Sequence, residues 1–299
     1  MAEALMWITR HLCRRRGTRR AATLALLTML VSLSAACAGP SGPGSRGAPV
    51  GDYEQILRLA EATFQGGDLA SAASFYERAH VLAPDRTEPL IGLAGVAAAL
   101  GRDPAAADAL RRAVRAAPED PALRAAYARA LLRQGMPESA AAQFEEAIRL
   151  EPGDGRFYNG LGIAFDLAAR HKLAQQAYHA GLALRPDDLG LVNNLALSEA
   201  LSGDVDQALS RLRNLATHAP TDRRIGNNMA LVHALAGRVD EATALTARDL
   251  SAEQVESNRA FFQSLQNLAG PSRAEAVFHA ELADISRPGL PSAASAAPE

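Results

Sequence analysis

Apolar and small residues recur along this chain with two periods at once, helical spacing within a segment and 34 residues between segments. The short period is that of an α-helix with one buried stripe. The long one marks where helices end. Pro84, Pro118, Pro152, Pro186 and Pro220 stand 34 residues apart, and proline cannot continue a helix. Alanine recurs in the same register at Ala72, Ala106, Ala140, Ala174, Ala208 and Ala242, where the two helices of a unit must cross closely. Between the helices stand Gly67, Gly101, Gly135, Gly203 and Gly237, with Ala169 as the exception. Glycine reaches the left-handed conformation that ends a helix without steric cost. Alternating Val, Ile and Thr runs are missing, so the chain is predicted to be all-α. Six helix–turn–helix frames begin at Tyr53, Thr87, Pro121, Gly155, Leu189 and Arg223 and fill residues 53–250.

The fourth frame carries Tyr158, Leu161, Gly162, Phe165, Ala174, Tyr178 and Pro186. At a period of 34 residues this set resembles the tetratricopeptide repeat (TPR). The resemblance implies an α-solenoid in which each repeat buries its apolar face only by stacking on a neighbour, and a role in holding other proteins. The sixth frame departs from the pattern with Thr246, Asp249 and Gln254, the last in place of proline. A terminal repeat that differs is what capping requires. Ser251 and Gln254 have the spacing of a capping box, ahead of Val255, Phe262, Leu265 and Ala269 at helical intervals. Ser272 and Glu275 repeat the device after Pro271, ahead of Val277, Phe278, Leu282 and Ile285. Residues 251–286 are thus expected to form C-terminal capping helices, with Phe262 and Leu265 covering the last repeat. Residues 287–299 are rich in Pro and Ala and read as a disordered tail.

The N-terminus has a different character. Arg10, Arg14, Arg15, Arg16, Arg19 and Arg20 precede an uncharged stretch from Ala21 to Ala36, the layout of a secretory signal peptide over residues 1–36. Its apolar run is shorter than the roughly 20 residues a spanning helix needs. Leu33-Ser34-Ala35-Ala36-Cys37 resembles a bacterial lipobox, with Ser34 where leucine is usual. That resemblance implies lipidation (palmitate) at Cys37, which becomes the first residue after cleavage. Ordinary cleavage leaving a free thiol is the alternative. Cys13 is the only other cysteine and lies in the signal, so no internal disulfide is available. Residues 37–52 are rich in Gly, Pro and Ser and form a flexible linker. In lipoproteins of this kind, Ala38 after the cysteine implies the periplasmic face of the outer membrane as the destination, reached through the lipid anchor.

Removing residues 1–36 takes away six arginines and one glutamate, so the formal net charge falls from −2 to −7. Lys172 is the only lysine. No basic stripe is left to displace counterions from a nucleic acid. His80, His171, His179, His218, His233 and His279 are scattered, and none of the H-E-x-x-H, C-x2-C, G-x-S-x-G or phosphate-loop patterns occurs. The sequence therefore reads as non-enzymatic, with no catalytic residues, no metal, no cofactor and no small-molecule substrate.

The runs Asn193–Ala208 and Asn227–Ala242 and the closing Ala247–Ser251 resemble the TadD family, the TPR lipoproteins of the tight-adherence (Flp) pilus assembly system. This implies a pilotin-like adaptor that binds the outer-membrane secretin or other pilus components. Other envelope TPR lipoproteins stay open: type IVa pilus pilotins, outer-membrane assembly factors, and adaptors or regulatory subunits that recruit a peptidoglycan hydrolase or protease. Asn159, Asn193 and Asn227 share the fifth position of frames four to six. In TPR superhelices that position faces the concave groove, which implies an amide ladder for an extended peptide. Arg156 would add charge complementarity to an acidic segment. Asn194 and Asn228, at the sixth position, match a polar consensus residue, and some of these amides would instead bond neighbouring helices.

Overall fold

The computed structural model describes residues 50–220, 222–247 and 250–285, without the side chains of 50–51 and 279–285. Cys37, the signal segment, most of the linker, Arg248–Asp249 of the closing motif and the tail lie outside the described residues. All described residues fall in one compact unit, Gly47–Glu299. Fourteen helices and no strand are present among them.

The helices pair as the frames require. Repeat 1 is α1 (Val50–Gln65) with α2 (Leu69–Leu82), and repeat 2 is α3 (Glu88–Ala99) with α4 (Asp103–Ala116). Repeats 3 and 4 are α5 (Pro121–Arg133) with α6 (Pro137–Leu150), and α7 (Gly155–Leu167) with α8 (His171–Leu184). Repeats 5 and 6 are α9 (Leu189–Leu201) with α10 (Val205–His218), and α11 (Arg223–Leu235) with α12 (Val239–Thr246). Two more helices follow, α13 (Ala252–Gln266) and α14 (Gly270–Ile285). Helix α1 starts at Val50, inside the span expected as linker. The last repeat is truncated, its second helix reduced to 8 residues.

The local chemistry that ends each helix follows the 34-residue period. Gly67, Gly101, Gly135, Gly203 and Gly237 all have positive φ, and Ala169 adopts the same conformation at φ 57°. Alanine in that region is strained, so the turn geometry is imposed by the packing on either side. The first helices of repeats 3 to 6 open on aspartates in register: Asp120, Asp154, Asp188 and Asp222 each accept a hydrogen bond from a backbone N–H of the first turn. Such a cap satisfies a donor that the helix leaves unpaired and stabilises by about 1 kcal/mol.

The six crossing alanines, Ala72 to Ala242, are fully buried. Large rings fill the complementary sites. A β-carbon added at Gly160 would strike the Phe144 ring, and one added at Gly162 would strike the Tyr178 ring. These contacts join α6 to α7 and α7 to α8, and they leave no room for a side chain at either glycine. First helices of successive repeats also touch one another, α5 with α7, α7 with α9 and α9 with α11. They form the inner row of the solenoid.

Helix α13 covers the exposed end. It packs on α11 and α12, and Phe262 and Leu265 are buried against Ala230, Ala234 and Ala242. Ser251 and Gln254 form the expected capping box, and Arg259 pairs with Asp240 of α12 at 2.6 Å. The Gln266 amide donates to the carbonyl of Ala234, a bond no repeat could supply to itself. Helix α14 behaves differently. It leaves the C-terminal end and packs on α7 and α5, in the middle of the inner row. Ala274, Val277 and Phe278 are buried there as part of the largest core cluster. The capping box expected at Ser272–Glu275 does not start this helix, because α14 already begins at Gly270 and Ser272 falls inside its first turn.

Candidate functional site

The inner row gives the amides their positions. Asn159 on α7, Asn193 on α9 and Asn227 on α11 occupy equivalent places on three consecutive first helices. Their surroundings are graded. Asn159 is half-buried, Asn193 is 5% exposed and Asn227 is exposed. The Asn194 Nδ2 donates to Asn159 Oδ1 at 3.0 Å, so this pair ties α7 to α9. The Oδ1 atoms of Asn193 and Asn194 are buried and accept no hydrogen bond. Asn227 and half-buried Asn228 keep their side chains clear of hydrogen bonds among the described residues. The row is in register, but only its C-terminal part has the exposure that an open ladder for a peptide needs.

Arg156 is engaged. Its guanidinium donates to both oxygens of Asp154 at 2.6–3.0 Å, and that hydrogen bonding raises its pKa above the usual value. Its charge is therefore already balanced by the residue that caps its own helix. Arg129 on α5 is the contrasting case. It is half-buried and makes no hydrogen bond or ion pair among the described residues. Burial lowers its pKa, Arg156 and Arg133 nearby lower it further, and the Asp154 carboxylate opposes them in part.

Polar groups that the sequence pattern hid lie beside the inner row. Asp166 of α7 is fully buried and accepts from the Tyr178 hydroxyl at 3.0 Å and from the Ser198 hydroxyl at 2.8 Å. The His171 Nδ1 lies 2.8 Å from the same Asp166 Oδ1. Burial raises the Asp166 carboxyl above the ordinary carboxylate range. A Ser, a His and an Asp thus meet, but both partners bind the carboxylate, and the second contact of Ser198 is the His171 backbone carbonyl at 3.3 Å. Nucleophilic catalysis needs the hydroxyl on a ring nitrogen of the base. The cluster instead braces α7, α8 and α9. Next to Ser198 on α9, Glu199 is 2% exposed and is held by Arg211 at 2.7 and 3.0 Å and by Gln207 at 2.6 Å. Among the described residues no group of three His, Cys, Asp or Glu could hold a metal ion, and no helix is long and apolar enough to cross a membrane.

Comparison with known proteins agrees with this architecture. Two family models, each described as tetratricopeptide repeat, match residues 63–130 and 121–164. No curated protein matches the sequence. Among solved structures, a tetratricopeptide repeat protein from Parabacteroides merdae matches 79% of this chain and 99% of its own, at 16% identity and a TM-score of 0.65. PilW, described as a widely conserved type IV pilus biogenesis factor, matches 69% of this chain and 97% of its own, at 19% identity and a TM-score of 0.58. PilF of Pseudomonas aeruginosa matches 72% of this chain and 96% of its own, at 16% identity and a TM-score of 0.55. At these identities the likeness is one of fold. The chain carries tetratricopeptide repeats and folds as their all-α solenoid.

Proposed function

We propose that this protein is a non-enzymatic adaptor, held by a lipid on Cys37 at the periplasmic face of the outer membrane, that binds the secretin of a tight-adherence pilus and helps it assemble. The observation that carries the binding role is the inner row itself: stacked repeats whose first helices touch, α1 with α3 and α5 through α7 and α9 to α11, bearing the exposed amide of Asn227 and an arginine, Arg129, that makes no hydrogen bond or ion pair among the described residues. A surface of that kind suits a peptide or helix of another protein. Support for the pilus comes from the resemblance of Asn193–Ala208 and Asn227–Ala242 to the TadD family, and a protein named as a pilus biogenesis factor has the same fold. Support for the anchor comes from the residues around Cys37. Two or three acyl chains, at about 0.8 kcal/mol per buried methylene, hold a protein on a membrane without a spanning helix.

The test is capture from envelope extract with the tagged, lipidated chain. The secretin should co-purify with wild type from the outer-membrane fraction, and Cys37→Ala should leave that fraction while keeping its helical circular dichroism. Absence of the secretin from the captured material, or an outer-membrane Cys37→Ala protein, would overturn the corresponding half of the reading.

A further inference from the structure

Covering the end of the solenoid does not account for where helix α14 lies. The end of the solenoid is already covered by α13, whose Phe262 and Leu265 fill the last repeat. Each repeat stacks on the next through its own rings and alanines. Yet α14 crosses back over more than a hundred residues of sequence to lie on α5 and α7. It holds there by Ala274, Val277 and Phe278, with half-buried Ala276 packed against the cap cluster of Phe262 and Leu265, while Pro271, Ser272 and Glu275 remain exposed. That is the geometry of an amphipathic helix laid in a groove, with a small residue, an aliphatic one and an aromatic one as anchors one turn apart. The groove it fills belongs to the first helices, where the partner-binding surface lies. Arg129 on α5 makes no hydrogen bond or ion pair among the described residues, with the charge of Asp154 acting on it from nearby, and on α14 itself Arg273 Nε is buried without a hydrogen-bond partner.

We propose that α14 is a built-in occupant of the partner groove: the groove over α5 and α7 takes an amphipathic helix with the small-x-x-aliphatic-aromatic face of Ala274, Val277 and Phe278, and a partner helix that also brings a carboxylate to Arg129 displaces α14. The requirement for a carboxylate follows from competition. A tethered helix faces its groove at an effective concentration in the millimolar range, so a helix arriving from solution with the same apolar face loses to it. An advantage has to come from a group that α14 leaves unpaired, and a charge-assisted hydrogen bond to Arg129 supplies one. The partner so defined is an acidic amphipathic helix of another protein. This rests on the binding role proposed above but not on the identity of the secretin.

The test uses a fluorescein-labelled peptide with the sequence of residues 270–285 and the full chain. Phe278→Asp in the chain should release its own helix, so the peptide should bind that variant at least tenfold tighter than wild type, and a peptide carrying the same Phe278→Asp change should bind neither. Equal affinity for the two chains, or no saturable binding to either, would overturn the proposal. Should Phe278→Asp fail to fold, hydrogen exchange on the wild-type chain decides: α14 amides should exchange by a separate opening at least tenfold more frequent than that of α7, whereas α14 and α7 exchanging together would mean that the helix is an integral part of the core. For the charge, placing Glu in turn at each position of the peptide outside the three anchors should give at least one that binds Phe278→Asp at least threefold tighter, a gain lost in the Phe278→Asp, Arg129→Ala chain. No gain at any position would remove Arg129 from the site. Because no secretin is present, these results do not depend on whether the pilus reading is right.

Discussion

At the scale of single residues, two kinds of position carry this fold: small ones that let rings in, and polar ones buried with all their partners. Gly162 is of the first kind. A methyl group there would meet the Tyr178 ring, and overpacking of this sort costs about 1–3 kcal/mol. Gly162→Ala should lower the urea midpoint accordingly, while Gly153→Ala, which meets nothing, should leave it unchanged; equal melts for both would show that the packing is looser than described. Asp166 is of the second kind. Burial raises its pKa, so the folded chain holds that proton more tightly than the unfolded one does. The stability this contributes is complete below the unfolded carboxylate pKa, about 4, and is lost as pH rises through the raised value. The stability of wild type relative to Asp166→Asn should therefore shrink on going from pH about 4 towards neutrality, and a difference that grows with pH would contradict the burial argument. Gly162 and Tyr178 stand out in the sequence of the fourth frame, but the Asp166 network does not, although a signal for it is there. Asp166 stands at a frame position held elsewhere by Phe64, Ala98, Leu132, Ala200 and Ala234, and Ser198 at one held by Ala62, Val96, Ala130, Ala164 and Val232. A polar residue at a position that is otherwise apolar is a buried network in the making. The ladder amides invited attention through their shared register, which says which helix face they occupy but not what lies over it.

Among the elements, the six repeats were legible almost to the residue. Their boundaries are set by local chemistry, a left-handed turn residue in every repeat and a proline beyond the second helix of the first five, and that chemistry repeats. The end of the array was legible in part. The capping box at Ser251 and the burial of Phe262 and Leu265 follow from nearby sequence. The destination of α14 does not, because it depends on a contact with α7 that no periodicity encodes. The two helices should accordingly differ in weight. Phe262→Ala opens a cavity in the cap over the last repeat and should cost about 3–5 kcal/mol, read as a fall in melting temperature with loss of repeats 5 and 6 first in hydrogen exchange. A variant as stable as wild type would mean that α13 is not a cap.

For the described solenoid, the first helices from α5 to α11 touch in succession along one inner surface, and exposed charges such as Glu77, Arg78, Glu145 and Arg213 stand on the second helices. Among the described residues the inner surface brings together apolar area, the buried Asn193 and Asn194 oxygens that accept no hydrogen bond, and Arg129, which makes no ion pair, so that is where a partner should be found. The most direct measurement is site-specific photo-crosslinking in cells. A photoreactive residue in place of Asn227, exposed on α11 of the inner row, should give an adduct with the secretin, and one in place of Glu145, exposed on the second helix α6, should give none. A secretin adduct from position 145 and not from position 227 would contradict the account, and would place the partner on the outer face of the solenoid.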